Sequence, residues 1–277
     1  KIFKGIAVSY GFVVGNCAIK KSSDLSYSKY NIPTSEVKNE MERLDKAVKN
    51  SVSDLGKIIK NIKDHKNDIY DEMKFLLEAN ISIISSSSLV SDAKKRIHSD
   101  LINAEFAIIE ELNKHSKIFK KIKDDYLKDR FDDVRDVCRR ILENLQKKKR
   151  KQKFIRDNQI LISNELSAAD LLSLSKTKLS GLVSVMGGPE GHFAIVARSL
   201  SIPTLVGVKN ILKDLKDNEP IILDGEKGIL IKNPKLSTIN YYKKKIEDQK
   251  NVDKKLNFLK KKTPLTSDNT RVRIEAN

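Results

Sequence analysis

The feature that most constrains the fold is a long block of helical periodicity placed between two groups of short strands. From Val37 to Leu145, apolar residues recur every three or four positions, which puts them on one face of successive helices. Short apolar runs typical of strands lie before the block, at 6–9 and 12–20, and again after residue 159. The later strands need the early pair to complete a sheet. We therefore predict one α/β unit into which the helical block is inserted.

Four helices are predicted within the block. Ser35 is a candidate N-cap for the first helix, because its side-chain oxygen could accept a hydrogen bond from a backbone N–H of the first turn. The second helix starts at about Asp68, the third runs from about Ser91 to Leu112, and the fourth contains 134–145. Four amphipathic helices joined by short connections are typical of an antiparallel bundle.

After Lys151 the pattern changes to short strands separated by glycine-rich turns. Residues 221–223 and 229–231 are predicted to pair as a hairpin across the turn at 224–228. The other predicted elements are strands at 160–162, 182–185 and 203–206, a helix over 192–200, a basic helix beyond Pro234 that ends at Thr263–Pro264, and a strand at 272–274.

Composition excludes several classes of protein. The formal net charge is +17, from 54 Lys and Arg against 37 Asp and Glu, but acidic residues are interleaved with the lysines and no nucleic-acid-binding motif is present. A spanning helix needs about 18 uncharged apolar residues, and no run approaches that length. Cys17 and Cys138 are too few and too far apart for a disulfide framework, and the four histidines show no zinc-ligand spacing. We expect a reducing, cytoplasmic environment and no membrane or nucleic-acid partner.

The most specific segment runs from Gly187 through the helix start at His192 to Gly207. A strand delivers the chain to a glycine-rich turn, and the turn opens a helix whose first N–H groups have no partner within the helix. Such a helix end attracts anions, phosphate above all. A neutral imidazole at that position is a competent nucleophile, and a phosphoryl group on it would face the positive helix end. On spacing alone, a histidine at a helix start is more often a capping or surface residue than a nucleophile.

This segment resembles the phosphohistidine signature of enzyme I of the phosphoenolpyruvate-dependent sugar phosphotransferase system and of the related dikinases. In the resemblance, His192 takes the phosphorylated position and Arg198 the position of the signature arginine, with Gly187, Gly188, Glu190 and Gly191 supporting the phosphate. Two further segments resemble enzyme I itself, the N-terminal run Gly5–Gly11 and the stretch from 124 to 137.

The resemblance covers essentially the whole chain and implies its fold. It implies an α/β-plus-α architecture, namely a swivelling phosphohistidine β/β/α domain with an inserted four-helix bundle and a C-terminal linker helix. The α/β domain would comprise 1–30 and 151–235, and the inserted helical subdomain would comprise 31–150. The linker helix would follow at 236–262, and 263–277 would begin the connection to a phosphoenolpyruvate-binding barrel that this sequence lacks.

The resemblance also implies activity and partners. The full enzyme would take phosphate from phosphoenolpyruvate onto the histidine with Mg²⁺ held through the barrel, and would pass it to the phosphocarrier HPr. This chain would exchange phosphate with HPr, needs no cofactor or metal of its own, and is expected to be monomeric because family dimerisation uses the barrel. The residues implied to contact HPr on the helical subdomain are Asp71, Glu72, Ile83, Leu89, Phe119, Leu127 and Arg130.

Three departures from the family pattern leave alternatives open. Glu190 and Gly191 replace a Thr-Ser pair, and Leu171 replaces a threonine, so hydroxyl partners of the phosphate or imidazole are lost. One alternative is a degenerate relative of enzyme I that binds a partner without phosphotransfer. The other is a basic helical protein that binds nucleic acid, which would leave the segment around His192 unexplained.

Overall fold

A computed structural model of the chain describes most of the sequence. The described residues are 1–20, 29–62, 68–86, 88–119, 125–146, 159–174, 179–259, 263–264, 266–268 and 270–273. Within them, no helix is both long and apolar enough to cross a membrane. They form a group of helices packed against a mixed sheet, in agreement with the predicted α/β-plus-α class.

Among the described residues, the helical part contains five helices rather than the four predicted. They are α1 (Val37–Ile62), α2 (Asp68–Ser86), α3 (Ser88–Asp100), α4 (Ala104–Phe119) and α5 (Asp125–Leu145). The predicted third helix is in fact α3 and α4, because the chain leaves helical geometry at Leu101, whose φ is +51°. The predicted N-cap is also wrong, since Ser35 lies inside a 3₁₀ turn (Thr34–Glu36) that leads into α1.

The break between α3 and α4 is stabilised from outside the two helices. Asn31 forms an isolated bridge with Ile102, and Ile32 N–H donates to the Leu101 carbonyl. Ala104 N–H, at the start of α4, donates to Oε1 of Glu40 on α1 over 2.6 Å. A carboxylate that accepts from a first-turn N–H stabilises a helix start. The cap is therefore supplied by a distant residue, which local periodicity does not show.

In the described part of the chain, eight strands form one sheet. They are β1 (Ile2–Lys4), β2 (Ile6–Ser9), β3 (Phe12–Lys20), β4 (Gln159–Ser163), β5 (Gly181–Ser184), β6 (Thr204–Val206), β7 (Pro220–Asp224) and β8 (Ile229–Lys232), in the order β1-β8-β7-β3-β4-β5-β6-β2. The β3-β4-β5-β6 pairs are parallel, and the predicted β7–β8 hairpin is confirmed. The early strands do complete the sheet, as predicted, because β3 lies at its centre.

The sheet closes on itself at Gly5. β1 and β2 occupy opposite ends of the strand order, yet Gly5 alone separates them in sequence, so both edges meet at this residue. Gly5 N–H donates to the Gly228 carbonyl. A Cβ at this position would lie 2.5 Å from Cγ2 of Val208 and 2.9 Å from the Val206 carbonyl oxygen, so only glycine fits here.

Two layers of apolar side chains cover the two sides of this sheet. An inner cluster joins residues from seven of the eight strands, for example Phe3, Ile162 and Leu205. The other side, with Ala18, Leu161 and Val206, belongs to a larger cluster that continues without interruption into the helical part. Two helices fill the interval between sheet and helices, α6 (Ala168–Leu174) and α7 (His192–Ser199). This shared core fixes α7 relative to α2 and α5.

The remaining helices are α8 (Ile211–Asp214) and α9 (Leu236–Leu259), the second of which matches the predicted basic helix. Tyr242 anchors α9 to the sheet, because its ring packs on Phe12 and its hydroxyl donates to Asp224 over 2.6 Å. The predicted final strand is wrong for Val272 and Arg273, which are outside any strand, and Ile274 lies beyond the described residues.

Candidate active site

His192 is the first residue of α7, directly after the turn that follows β5. Gly187 has a φ of +103°, a conformation that residues with a Cβ rarely adopt. Gly191 is the N-cap in an extended conformation, and its carbonyl accepts from Ala194 N–H over 2.8 Å. The imidazole therefore stands at the positive end of the helix, as the sequence predicts.

Asp133 of α5 contacts the imidazole. Its Oδ1 lies 3.3 Å from Nδ1 of His192. The histidine side chain is 35% exposed, whereas Asp133 is buried. A carboxylate only accepts hydrogen bonds, so this contact favours the tautomer with the proton on Nδ1 and orients the ring. The electron pair available for reaction is then on Nε2.

A polar cleft of about 190 Å³ opens beside His192. Within the cleft, Arg135 donates to Glu165 over 2.6 Å. Of the described side chains that line it, Arg135 is the one cation. The lining includes Leu76, Asn80, Asp133, Arg135, Asp136, Glu165, Ser167, the turn at 186–191 and His192.

An apolar groove of about 460 Å³ lies on the other side of His192, between α2 and α7. Phe75 of α2 is 70% exposed and Ile195 of α7 is 39% exposed, so two large apolar side chains face solvent there. Asp71 and Glu72 lie at the same groove. His192 lines both the polar cleft and the apolar groove, so it is accessible from either side.

An ion-pair network joins α5 to α6 next to the cleft. Arg139 donates to both Asp136 and Asp170, and Arg140, which is almost fully buried, donates to Asp136. Burial alone would raise the pKa of Asp136, but Arg140 and Arg139 outweigh it and hold that pKa below its ordinary value. The network fixes α5, and with it Asp133, relative to the part of the chain that carries the sheet.

The start of α6 carries a capping arrangement that the sequence analysis missed. Asp170 N–H donates to Oγ of Ser167, and Ser167 N–H donates to Oδ2 of Asp170. This reciprocal pair is a capping box, and the spacing Ser-x-x-Asp in the sequence was a signal for it. Leu171, one of the three departures from the family pattern, is fully buried in the core, away from the cleft lining.

The predicted phosphate-supporting residues have different surroundings. Glu190 is exposed at the rim of the polar cleft. Arg198 donates from Nη1 to the Pro189 carbonyl over 2.9 Å, so it shapes the turn before His192. Gly188 and Gly191 also line the cleft. A Cβ on Gly191 would have its nearest contact 3.8 Å away, at the Gly188 carbonyl oxygen, so the site has room for a Cβ.

The predicted partner-binding residues are only partly assembled at the surface. Asp71 and Glu72 are exposed at the apolar groove, and Ile83 is half-buried on α2. Leu89 is 2% exposed and packs in the core, so its side chain does not reach the surface. Phe119, Leu127 and Arg130 belong to α4 and α5, but their side chains lie outside the described part of the chain.

Asp133 and Asn80 are site residues that the sequence analysis did not assign. Asp133 is 59 residues from His192, and Asn80 lies on a helix whose other inward residues are apolar. The sequence around Asp133 and the sequence around Asn80 do not indicate that either residue lies near His192. No group of three or more His, Cys, Asp or Glu side chains among the described residues is arranged to bind a metal ion.

Two family models match the chain in succession. Residues 4–130 match the model described as "PEP-utilising enzyme, N-terminal", and residues 155–228 match "PEP-utilising enzyme, mobile domain". Together they span α1 to α4, α6 to α8, strands β2 to β7 and the turn that carries His192, whereas most of α5 and all of α9 lie outside the matched ranges. The chain belongs to the PEP-utilising enzymes.

Relatives of the chain are named phosphoenolpyruvate-protein phosphotransferase. The relative from Mycoplasma capricolum subsp. capricolum is 30% identical over 282 residues, which is 100% of this chain and 48% of the relative. The relative from Bacillus subtilis (strain 168) is 30% identical over 247 residues, or 87% of this chain and 42% of the relative. The chain thus spans about half the length of these PEP-utilising relatives.

Solved structures agree with this assignment. A solution NMR structure of Enzyme I (nEIt) is 28% identical and superposes with a TM-score of 0.72, covering 90% of this chain and 99% of that one. The N-terminal domain of Enzyme 1 - Nitrogen shows the same fold, with 22% identity and a TM-score of 0.57. The resemblance to enzyme I stated from the sequence is thereby confirmed.

Proposed function

We propose that this chain is a phosphoryl carrier of a sugar phosphotransferase system, in which His192 is transiently phosphorylated and exchanges phosphate with the histidine of HPr. The observation that carries the proposal is the contact of Asp133 with Nδ1 of His192 at the start of α7. It presents Nε2 as the nucleophile at a site that favours an anion.

The proposed step is a direct exchange between two imidazoles. The Nε2 electron pair of His192 attacks phosphorus, the new N–P bond forms, and the P–N bond to the partner's histidine breaks with its electron pair returning to that ring. Nδ1 keeps its proton, so the His192 ring gains positive charge as the bond forms. The carboxylate of Asp133 stabilises that charge across 3.3 Å.

The apolar groove supports a protein as the phosphate donor. Phe75 and Ile195 offer apolar contact area within reach of His192, and Asp71 and Glu72 would favour a basic surface opposite them. HPr is the partner that the family resemblance implies. We assign the contact surface to this groove and no longer to Leu89, which is buried. Contacts of HPr with Phe119, Leu127 and Arg130 stay predictions.

The division of the chain remains part of the proposal. We assign 1–30 and 151–235 to a swivelling phosphohistidine domain, 31–150 to the HPr-binding helical subdomain, and 236–262 to a linker helix. In the full-length enzyme a barrel would follow, bind Mg²⁺ and phosphoenolpyruvate, and charge His192. Cytoplasmic location and a monomeric state of this chain are predictions of the same resemblance.

Incubation with ³²P-labelled phospho-HPr tests the proposal. We expect acid-labile, base-stable label on the wild-type chain and none on His192→Ala, with both proteins folded. His98→Ala is a matched control, because His98 lies on α3, outside both the polar cleft and the apolar groove, and should retain the label. A folded wild-type chain that accepts no label, or label that persists in His192→Ala, would contradict the assignment.

A further inference from the structure

Asn80 carries a buried amide whose oxygen, Oδ1, has no hydrogen-bond partner among the described residues. The residue is 3% exposed, and among the described residues no hydrogen bond reaches its Oδ1. A buried polar atom without a partner destabilises a folded protein. Its neighbours on the same face of α2, Met73, Leu77 and Ile84, are buried apolar residues, so an apolar side chain would suit packing better. Folding alone therefore gives no reason for asparagine here.

The position of this amide indicates what it serves. Asn80 lines the same polar cleft as His192, Asp133 and the glycine-rich turn. Rotation of the amide exchanges Oδ1 and Nδ2 with little change in shape, so the group can present either an acceptor or a donor to the cleft. The phosphoryl group that the proposed function places on His192 carries only acceptors.

Charge in the cleft favours a neutral donor of this kind. Asp133, Asp136 and Glu165 line the cleft, and each repels a phosphoryl dianion. The nearby cations already bind carboxylates, since Arg135 donates to Glu165, and Arg139 and Arg140 donate to Asp136. A neutral amide can bind a phosphoryl oxygen without disturbing these ion pairs.

We propose that Asn80 donates a hydrogen bond from Nδ2 to the phosphoryl group of phosphorylated His192. This inference rests on the proposed function of His192. It gives Asn80 no role in the unphosphorylated protein, in which its amide is only an energetic cost. Asn80 thus stabilises the phosphorylated form and reduces the rate at which that form loses phosphate.

Chemical phosphorylation with potassium phosphoramidate tests this inference without HPr. The lifetime of phosphohistidine at His192 is followed by ³¹P NMR, with His192→Ala as the background for the other histidines. We expect Asn80→Leu to shorten that lifetime about tenfold, which is the scale of one hydrogen bond to a charged group. Unphosphorylated Asn80→Leu should melt no lower than the unphosphorylated wild type. Phosphorylation should raise the Tm of this variant by less than it raises the Tm of the wild type. Asn80→Ala, which also lacks a donor, should shorten the lifetime in the same way.

Asn144 provides the matched control. Its amide donates to Oγ of Ser51 over 3.0 Å and to the Arg140 carbonyl, so it has a structural role outside the cleft. Asn144→Leu should lower Tm and leave the phosphohistidine lifetime unchanged. An unchanged lifetime in both Asn80 variants, or a loss of Tm without a change of lifetime, would overturn the inference. Because the donor here is phosphoramidate, failure of exchange with HPr would contradict the proposed partner separately.

Discussion

Asp133 contacts Nδ1 of His192, and this single contact predicts which ring nitrogen reacts. An asparagine at 133 has the same shape but can donate as well as accept, so it no longer fixes the proton on Nδ1. We expect Asp133→Asn to reduce the rate of phosphate exchange by about a hundredfold, the lower end of what proton placement contributes in enzymes. Rapid-quench measurement with labelled phospho-HPr would give this rate.

Asp45→Asn is the control for that substitution. Asp45 undergoes the same chemical change but pairs with Lys94 on the helical part, outside both the polar cleft and the apolar groove. It should exchange phosphate at the wild-type rate. If Asp133→Asn also exchanged at that rate, Asp133 would have no part in orienting the imidazole.

At the residue scale, the sequence predicts His192 but does not predict the residues that surround it. The glycine-rich turn identifies His192 because strand, turn and helix start are contiguous in the chain. Asp133 and Asn80 reach the same cleft from α5 and α2, and such contacts depend on how the helices pack. Arg198 donates to the Pro189 carbonyl, a contact that the sequence does not show, and its support of the phosphate stays a prediction.

At the scale of elements, Asp136 in the ion-pair network that joins α5 to α6 predicts how stability changes with pH. The pKa of Asp136 in the folded protein lies below its ordinary value of about 3.9. The unfolded chain therefore takes up this proton first as the pH falls. The contribution of Asp136 to stability is complete above pH 4–5 and is lost as the pH falls through about 4 toward the folded-state pKa.

Urea unfolding at pH 6 and pH 3.5 would measure this contribution. Asp136→Asn should be less stable than the wild type by about 3 kcal/mol at pH 6, because Arg139 and Arg140 lose a buried partner. It should also lose less stability between the two pH values. Asp54→Asn, which breaks an exposed pair with Lys57, should keep the wild-type dependence. Parallel pH profiles for Asp136→Asn and wild type would contradict this prediction.

The elements themselves were predicted with uneven success, for physical reasons. Strong periodicity identified α1, α2, α5 and α9, and the hairpin of β7 and β8 followed from its turn. Helix α6 was not predicted because seven residues give little periodicity, although the Ser-x-x-Asp spacing of its capping box can be recognised in the sequence. The break at Leu101 was missed because its stabilising partners, Glu40 and Asn31, come from elsewhere in the chain.

At the scale of the whole molecule, closure of the sheet at Gly5 predicts that any side chain at this position destabilises the protein. A methyl group there would press on Val208 and on the Val206 carbonyl oxygen, and β-ladders on both sides restrain the backbone. We expect Gly5→Ala to lower the free energy of unfolding by about 2 kcal/mol. Chemical denaturation monitored by circular dichroism would measure it.

Gly56→Ala is the opposite control. Gly56 lies within α1, and a Cβ there would meet no atom within 4 Å. Alanine has the higher helix propensity, so this substitution should stabilise the protein by about 1 kcal/mol. Equal effects of the two substitutions would show that crowding at Gly5 does not limit closure. The strand order that creates this crowding could not be predicted from the sequence, because it depends on pairing between distant strands.

Closure at Gly5 also sets an order of events during translation. Ile2 pairs with Ile231, and Ile6 pairs with Val206, so β1 and β2 are synthesised about 200 residues before the strands with which they pair. The helices from α1 to α5 have one another as neighbours and emerge completely long before that. Until β6 and β8 appear, the apolar segment 2–9 lacks the strands with which it pairs in the described structure. It is the segment that a nascent-chain chaperone would have to shield.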